Sequence, residues 1–154
     1  MNAPELNPIL LVEDSPKDVE LTLAALERCQ LANTVVVARD GAEALDYLLC
    51  KGRYEGRNSG DPVVVLLDLK LPKVDGLEVL EQIKQDAKLR HTPVVMLTSS
   101  REERDLVRSY QLGVNAFVVK PVGFEEFFKA IQDLGMFWAV LNEPPPRDAD
   151  QPRA

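Results

Sequence analysis

Apolar residues gather into short unbroken runs instead of alternating with polar ones: ILLV at 9 to 12, TVVVA at 34 to 38, VVVLL at 63 to 67, VVML at 94 to 97 and AFVV at 116 to 119. An exposed antiparallel sheet shows a polar residue at every second position, whereas strands covered on both faces do not. The runs therefore predict a parallel sheet between two helical layers. Helical spacing fills the gaps. Ser15 is a plausible N-cap with Pro16 at the first helical position, and Val19, Leu23 and Leu26 repeat at helical intervals. Further helices are predicted at about 41 to 50, 76 to 86 and 102 to 112, the last of these stopping at Gly113. A final helix begins near Phe124, with Phe127, Phe128, Ile131, Leu134, Trp138 and Leu141 as its apolar stripe.

Five strands alternating with five helices predict an α/β domain with a doubly wound five-stranded parallel sheet. A length of 154 residues and 45% hydrophobic content suit one domain. That domain is expected over 7–143, after a short N-terminal extension at 1–6 and before a Pro-rich tail at 144–154 that is not expected to pack. The segment KGRYEGRNSGD at 51 to 61 reads as a polar loop outside the repeat.

Charge narrows the function classes. A net charge of -7 argues against nucleic-acid binding, which calls for a basic face. The N-terminal stretch has too few consecutive apolar residues for a signal peptide or membrane span, so no membrane association is expected and the cytoplasm is the expected compartment. Cys29 and Cys50 fall in helical segments without metal-binding spacing, and His91 is the only histidine.

The acids supply the chemistry. In an open parallel sheet, sites form beyond the carboxyl ends of the strands where strand order reverses. There the first run leads into Glu13-Asp14, the third into Asp68, the fourth into Thr98-Ser99-Ser100 and the fifth into Lys120-Pro121. With strand order 2-1-3-4-5 the first and third strands are neighbours, which crowds three carboxylates into one pocket. Such a group takes up protons or holds a cation, and hard oxygen donors select Mg2+ or Mn2+. The alternative is that Glu13, Asp14 and Asp68 are separate caps or turn residues. A carboxylate can also attack phosphorus when cations offset the charge on the transferring group. Asp68 is the candidate acceptor, with Glu13 and Asp14 holding the ion, Lys120 pairing with a phosphoryl oxygen and Thr98 hydrogen-bonding to another.

These motifs, in this order, resemble the receiver domain of two-component response regulators over about residues 7 to 141. LLVEDS carries the acidic pair, LLDLKLPKVDG the acceptor with its following Pro and Gly, VVMLTSS the switch hydroxyl and AFVVKP the Lys-Pro. Thr98 lies 30 residues after Asp68 and Lys120 lies 22 after Thr98, spacings similar to those of the family. The resemblance implies a flavodoxin-like receiver fold and phosphorylation of Asp68 by a partner histidine kinase. It adds the backbone carbonyl of Lys70 to Glu13, Asp14 and Asp68 around Mg2+, with Lys120 on the phosphoryl group and Thr98 and Phe117 as the switch pair. It also implies a cis Lys120-Pro121 bond. Lys70 stands where many receivers have Asn or Met; its long cation either shields the acyl phosphate from water or pairs with the acids, the alternative being a solvated loop residue. Ser100 is a second side chain placed to tune phosphoryl lifetime.

Only 34 residues follow Lys120, so a single-domain receiver without an output domain is expected, acting as a signal acceptor and not as an enzyme. The 51 to 61 loop and the LGMFWAVLN ending resemble small receivers that serve phytochrome-like kinases. A homodimer through the 102 to 112 helix, the fifth strand and the last helix would draw on Tyr110, Phe117, Phe137 and Trp138. The alternative is that these aromatics only complete the core and cover a helix end. A metal-dependent phosphatase would want a D-x-D motif where this chain has Glu13-Asp14-Ser15, and a flavin module would want a Ser-, Thr- or Gly-rich loop in place of EDSPKD.

Overall fold

The computed structural model describes residues 7–29, 33–57, 60–99 and 113–133, together with residues 102 and 105. Five parallel strands run in the order β2-β1-β3-β4-β5: β1 (Ile9–Val12), β2 (Val35–Ala38), β3 (Val64–Asp68), β4 (Val94–Thr98) and β5 (Ala116–Val119). The described helices are α1 (Pro16–Arg28), α2 (Gly41–Leu49), α3 (Gly76–Gln85) and α4 (Phe124–Asp133). Most of the helix predicted at 102 to 112 lies outside the described residues. No described helix is long and apolar enough to cross a membrane.

Both sheet faces are buried, which is why the strands read as continuous apolar runs. Side chains still alternate between faces. Ile9, Leu11, Val64, Leu66, Val95, Leu97 and Val118 pack with Val19, Ala25 and Leu26 of α1 and Phe127 and Ala130 of α4. Leu10, Val12, Val65, Leu67, Val94 and Met96 pack on the opposite side with α2 and α3, where Phe117 joins them half-buried.

Each of the first three helices is started by a side chain. Ser15 Oγ accepts from the Asp18 amide at 3.3 Å, Asp40 caps α2 through the Glu43 amide at 2.7 Å, and Asp75 caps α3 through the Glu78 amide at 3.1 Å. Cys29 and Cys50 are C-cap residues, at the ends of the predicted helices; Cys50 takes the left-handed conformation with φ 56. Both thiols are unpaired.

The described part of the 51 to 61 segment lies between α2 and β3, outside the βα repeat, and is anchored to the fold through its arginines and Tyr54. Its composition hid two arginine–aromatic stacks. Arg57 lies 4.0 Å from the Tyr47 ring centroid and donates to the Tyr47 and Gly60 carbonyls at 2.9 and 2.6 Å. Arg53 stacks on Tyr54, and both bond to Glu43, the Tyr54 ring meeting Tyr47 edge-on.

The loop after β3 is held from two sides. The Gly76 amide donates to the Leu69 carbonyl at 3.0 Å, and a Cβ at Gly76 would collide with the carbonyls of Asp68 and Leu69. At Gly41, where α2 begins, a Cβ would collide with the Val74 carbonyl, while the Gly41 amide donates to Pro72 at 3.4 Å. We expect Gly76→Ala to cost about 1–3 kcal/mol of stability through this overpacking. A denaturation midpoint equal to wild type would refute the close approach.

Candidate functional site

The carboxyl edge of the sheet gathers the predicted residues into one place. Oxygens of Glu13, Asp14 and Asp68 lie within 4.8 Å of one another. Glu13 and Asp68 are buried, while Asp14 is exposed. The alternation along each strand explains the grouping. Glu13 follows Leu11 by two, Asp68 follows Leu66 by two and Lys120 follows Val118 by two, so all three continue the face shared with α1 and α4. Thr98 follows Met96 by two and continues the α2–α3 face, the one that holds Phe117.

Lys120 is the centre of the charge arrangement. Its Nζ lies 3.1 Å from Glu13 Oε1, 3.1 Å from Asp18 Oδ2 and 3.2 Å from Asp68 Oδ2. Asp18 is the residue that sequence reasoning missed. Its place in the first turn of α1 reads as an ordinary favourable helix-dipole acid; the available signal was that this turn starts from the same sheet edge as Glu13. The Lys120-Pro121 bond is cis, in agreement with the resemblance.

Burial, then the charge and hydrogen bond of Asp68, push the Glu13 carboxyl from 4.5 up to about 7 against the pull of Lys120. At Lys120 burial opposes the ammonium, but Asp68, Asp18 and Glu13 outweigh it and raise the pKa above its ordinary value. Lys120 thus stays charged while Glu13 is poised between forms.

The hydroxyl of Thr98 is fully buried and has no hydrogen-bond partner among the described residues. Such an orphan is costly unless another state of the site satisfies it. The Thr98 carbonyl, by contrast, accepts from the Lys120 amide at 2.7 Å, which fixes the two strand ends together. Lys70 has an exposed side chain, and its amide donates to Asp68 Oδ1 at 3.4 Å. Ser100, Tyr110, Phe137 and Trp138 lie outside the described residues.

The donor set is all oxygen, carries several negative charges and is partly open through Asp14, which fits a hard divalent cation. Glu13, Asp14 and Asp68 are the residues that would hold it.

The response regulator receiver domain model matches residues 9–132. The chain belongs to this family. The chain is similar to the structure of the bacteriophytochrome response regulator AtBRR, with 77% identity and a TM-score of 0.85, covering 91% of this chain and all of that one (100%). Response regulator Rcp1 of Synechocystis sp. is 43% identical over 137 residues, 87% of this chain and 92% of Rcp1. A manganese-bound form of Rcp1 has a TM-score of 0.69 at 41% identity, covering 86% of this chain and 94% of that one. The phosphorylated cyanobacterial phytochrome response regulator RcpA has a TM-score of 0.70 at 41% identity, over 86% of this receiver and 94% of RcpA.

The raised Glu13 pKa fixes a sign. The folded receiver binds this proton more tightly than the unfolded chain, so the contribution to stability is full below 4.5 and is lost as pH rises through about 7. In chelator, raising pH across that window should destabilise wild type more than Glu13→Gln. Added Mg2+ should restore more stability at the high end, where Glu13 is ionised. Thermal melts with equal pH slopes for the two proteins would contradict this.

Proposed function

We propose that this receiver is a single-domain response regulator whose Asp68 takes a phosphoryl group from a histidine kinase in the cytoplasm. The observation that carries the reading is a buried carboxylate at the end of β3, 3.2 Å from the Lys120 ammonium and clustered with Glu13 and Asp14. The phosphorylated state of RcpA and the metal-bound state of Rcp1 support it by similarity. Likeness to AtBRR supports a phytochrome-like kinase as the donor.

In the transfer, an Asp68 oxygen attacks phosphorus as the bond to the phosphohistidine nitrogen breaks. The electron pair remains on the imidazole. Lys120 offsets charge on the phosphoryl oxygens. Glu13, Asp14, Asp68 and the Lys70 carbonyl would hold Mg2+, which when bound would further neutralise the transferring group. Water later attacks the aspartyl phosphate and returns the carboxylate and inorganic phosphate, which resets the receiver; its role in this reading is to carry the signal while phosphorylated. On the readout side, Thr98 gains an acceptor for its orphaned hydroxyl, and its movement opens space for Phe117 on the same sheet face.

Incubated with Mg2+ and a small phosphoryl donor, wild type should gain one acid-labile phosphoryl group by intact mass and Asp68→Asn none. Modification of the mutant, or none of wild type, would defeat the assignment. Thr98→Val should still accept the group but lose the accompanying change in the Phe117 ring signals by NMR.

The same reading includes a homodimer through residues 102 to 112, β5 and α4. Val119, 44% exposed on β5, lends it an apolar contact. Sedimentation should show association that increases with phosphorylation; a monomer in both states would remove the dimer.

A further inference from the structure

An ammonium has three hydrogens to donate, and Lys120 directs its charge at three carboxylates, each between 3.1 and 3.2 Å away. A phosphoryl group arriving on Asp68 adds anionic oxygens that need one of those donors. Lys120 already hydrogen-bonds to Glu13 and Asp18, so the new oxygens compete with those two acids for the ammonium.

The three partners differ in what release costs them. Asp68 becomes the acyl phosphate and gives up its own carboxylate charge, while the Glu13 side chain is 0% exposed and cannot be rehydrated in place. The Asp18 side chain is 31% exposed, and water can replace Lys120 there at little cost. Asp18 is also fixed at its base, because its amide donates to Ser15 Oγ at the start of α1. Its carboxylate therefore remains beside Lys120 while the strand ends rearrange.

We propose that Asp18 is a positioning residue: it holds Lys120 in the unphosphorylated protein and, by competing for the ammonium, restrains its transfer to the phosphoryl oxygen. The inference rests on Asp68 being the acceptor. It makes the resting ion pair a determinant of how readily the receiver is charged. Removing Asp18 strengthens the attraction of Lys120 for the incoming group, so the expected effect is a gain.

The test compares wild type, Asp18→Asn, Asp18→Glu and Glu20→Gln for initial phosphorylation rate with a small phosphoryl donor and Mg2+. The affinity of each for beryllofluoride, a mimic of the phosphoryl group, is measured alongside. Asp18→Asn should raise both rate and affinity about two- to fivefold, the range of a partly exposed ion pair. Asp18→Glu, which keeps the charge within reach, should stay closer to wild type. Glu20→Gln removes an exposed acid from the same helix and controls for general electrostatics. Equal or slower phosphorylation in Asp18→Asn overturns the inference, as does an equal gain in Glu20→Gln. If wild type takes up no phosphoryl group, the receiver reading itself fails; uptake on Asp68 with no response to Asp18→Asn sinks only the role of Asp18.

Discussion

Buried carboxylates are costly, and this fold keeps two of them at the end of its central strands only because one ammonium is shared among them and a third acid. Lys120 reaches Glu13, Asp68 and Asp18 from the end of β5, across the width of β3 and β4. A single positive charge cannot balance three ionised acids, so the remainder appears as a proton retained on Glu13 or as appetite for a divalent cation. A bound divalent cation would settle that imbalance, whereas a phosphoryl group on Asp68 would add to it, which is why the two would be needed together.

The scaffold keeps that imbalance from relaxing. Parallel strands paired in register fix the spacing of the strand ends, and the Lys120 amide to Thr98 carbonyl bond joins β4 to β5 at the site. Gly76 and Gly41 allow backbone to approach backbone where any side chain would intrude, so the loop after Asp68 lies tight against the starts of α3 and α2. The carboxylates cannot separate to relieve their repulsion.

Much of this was legible in the chain because burial on both faces writes itself as uninterrupted apolar runs, and because chemically distinct residues terminate those runs. Glu13-Asp14, Asp68, Thr98 and Lys120 stand out against VVVLL and its counterparts. Asp18 did not, since an acid in a first helical turn has a sufficient local explanation in the helix dipole. Arg53 and Arg57 were similarly masked: in a glycine-rich stretch their side chains read as solvated, whereas Tyr47 and Tyr54 give them flat surfaces to stack on. Cys50 in a left-handed cap is equally invisible, because nothing in its side chain announces that backbone. Long-range partners chosen by tertiary geometry leave little trace in a linear pattern.

The alternation of side chains along β4 and β5 divides the labour between the two sides of the sheet. Glu13, Asp68 and Lys120 belong to the side covered by α1 and α4, and Thr98 and Phe117 to the side covered by α2 and α3. The sheet is therefore a partition, with the charged cluster on one side and the buried hydroxyl and its aromatic neighbour on the other, meeting at the single row where the strands end. A one-residue slip at the end of either strand would exchange the two roles, turning a charge site toward the packing layer and a switch toward the acids.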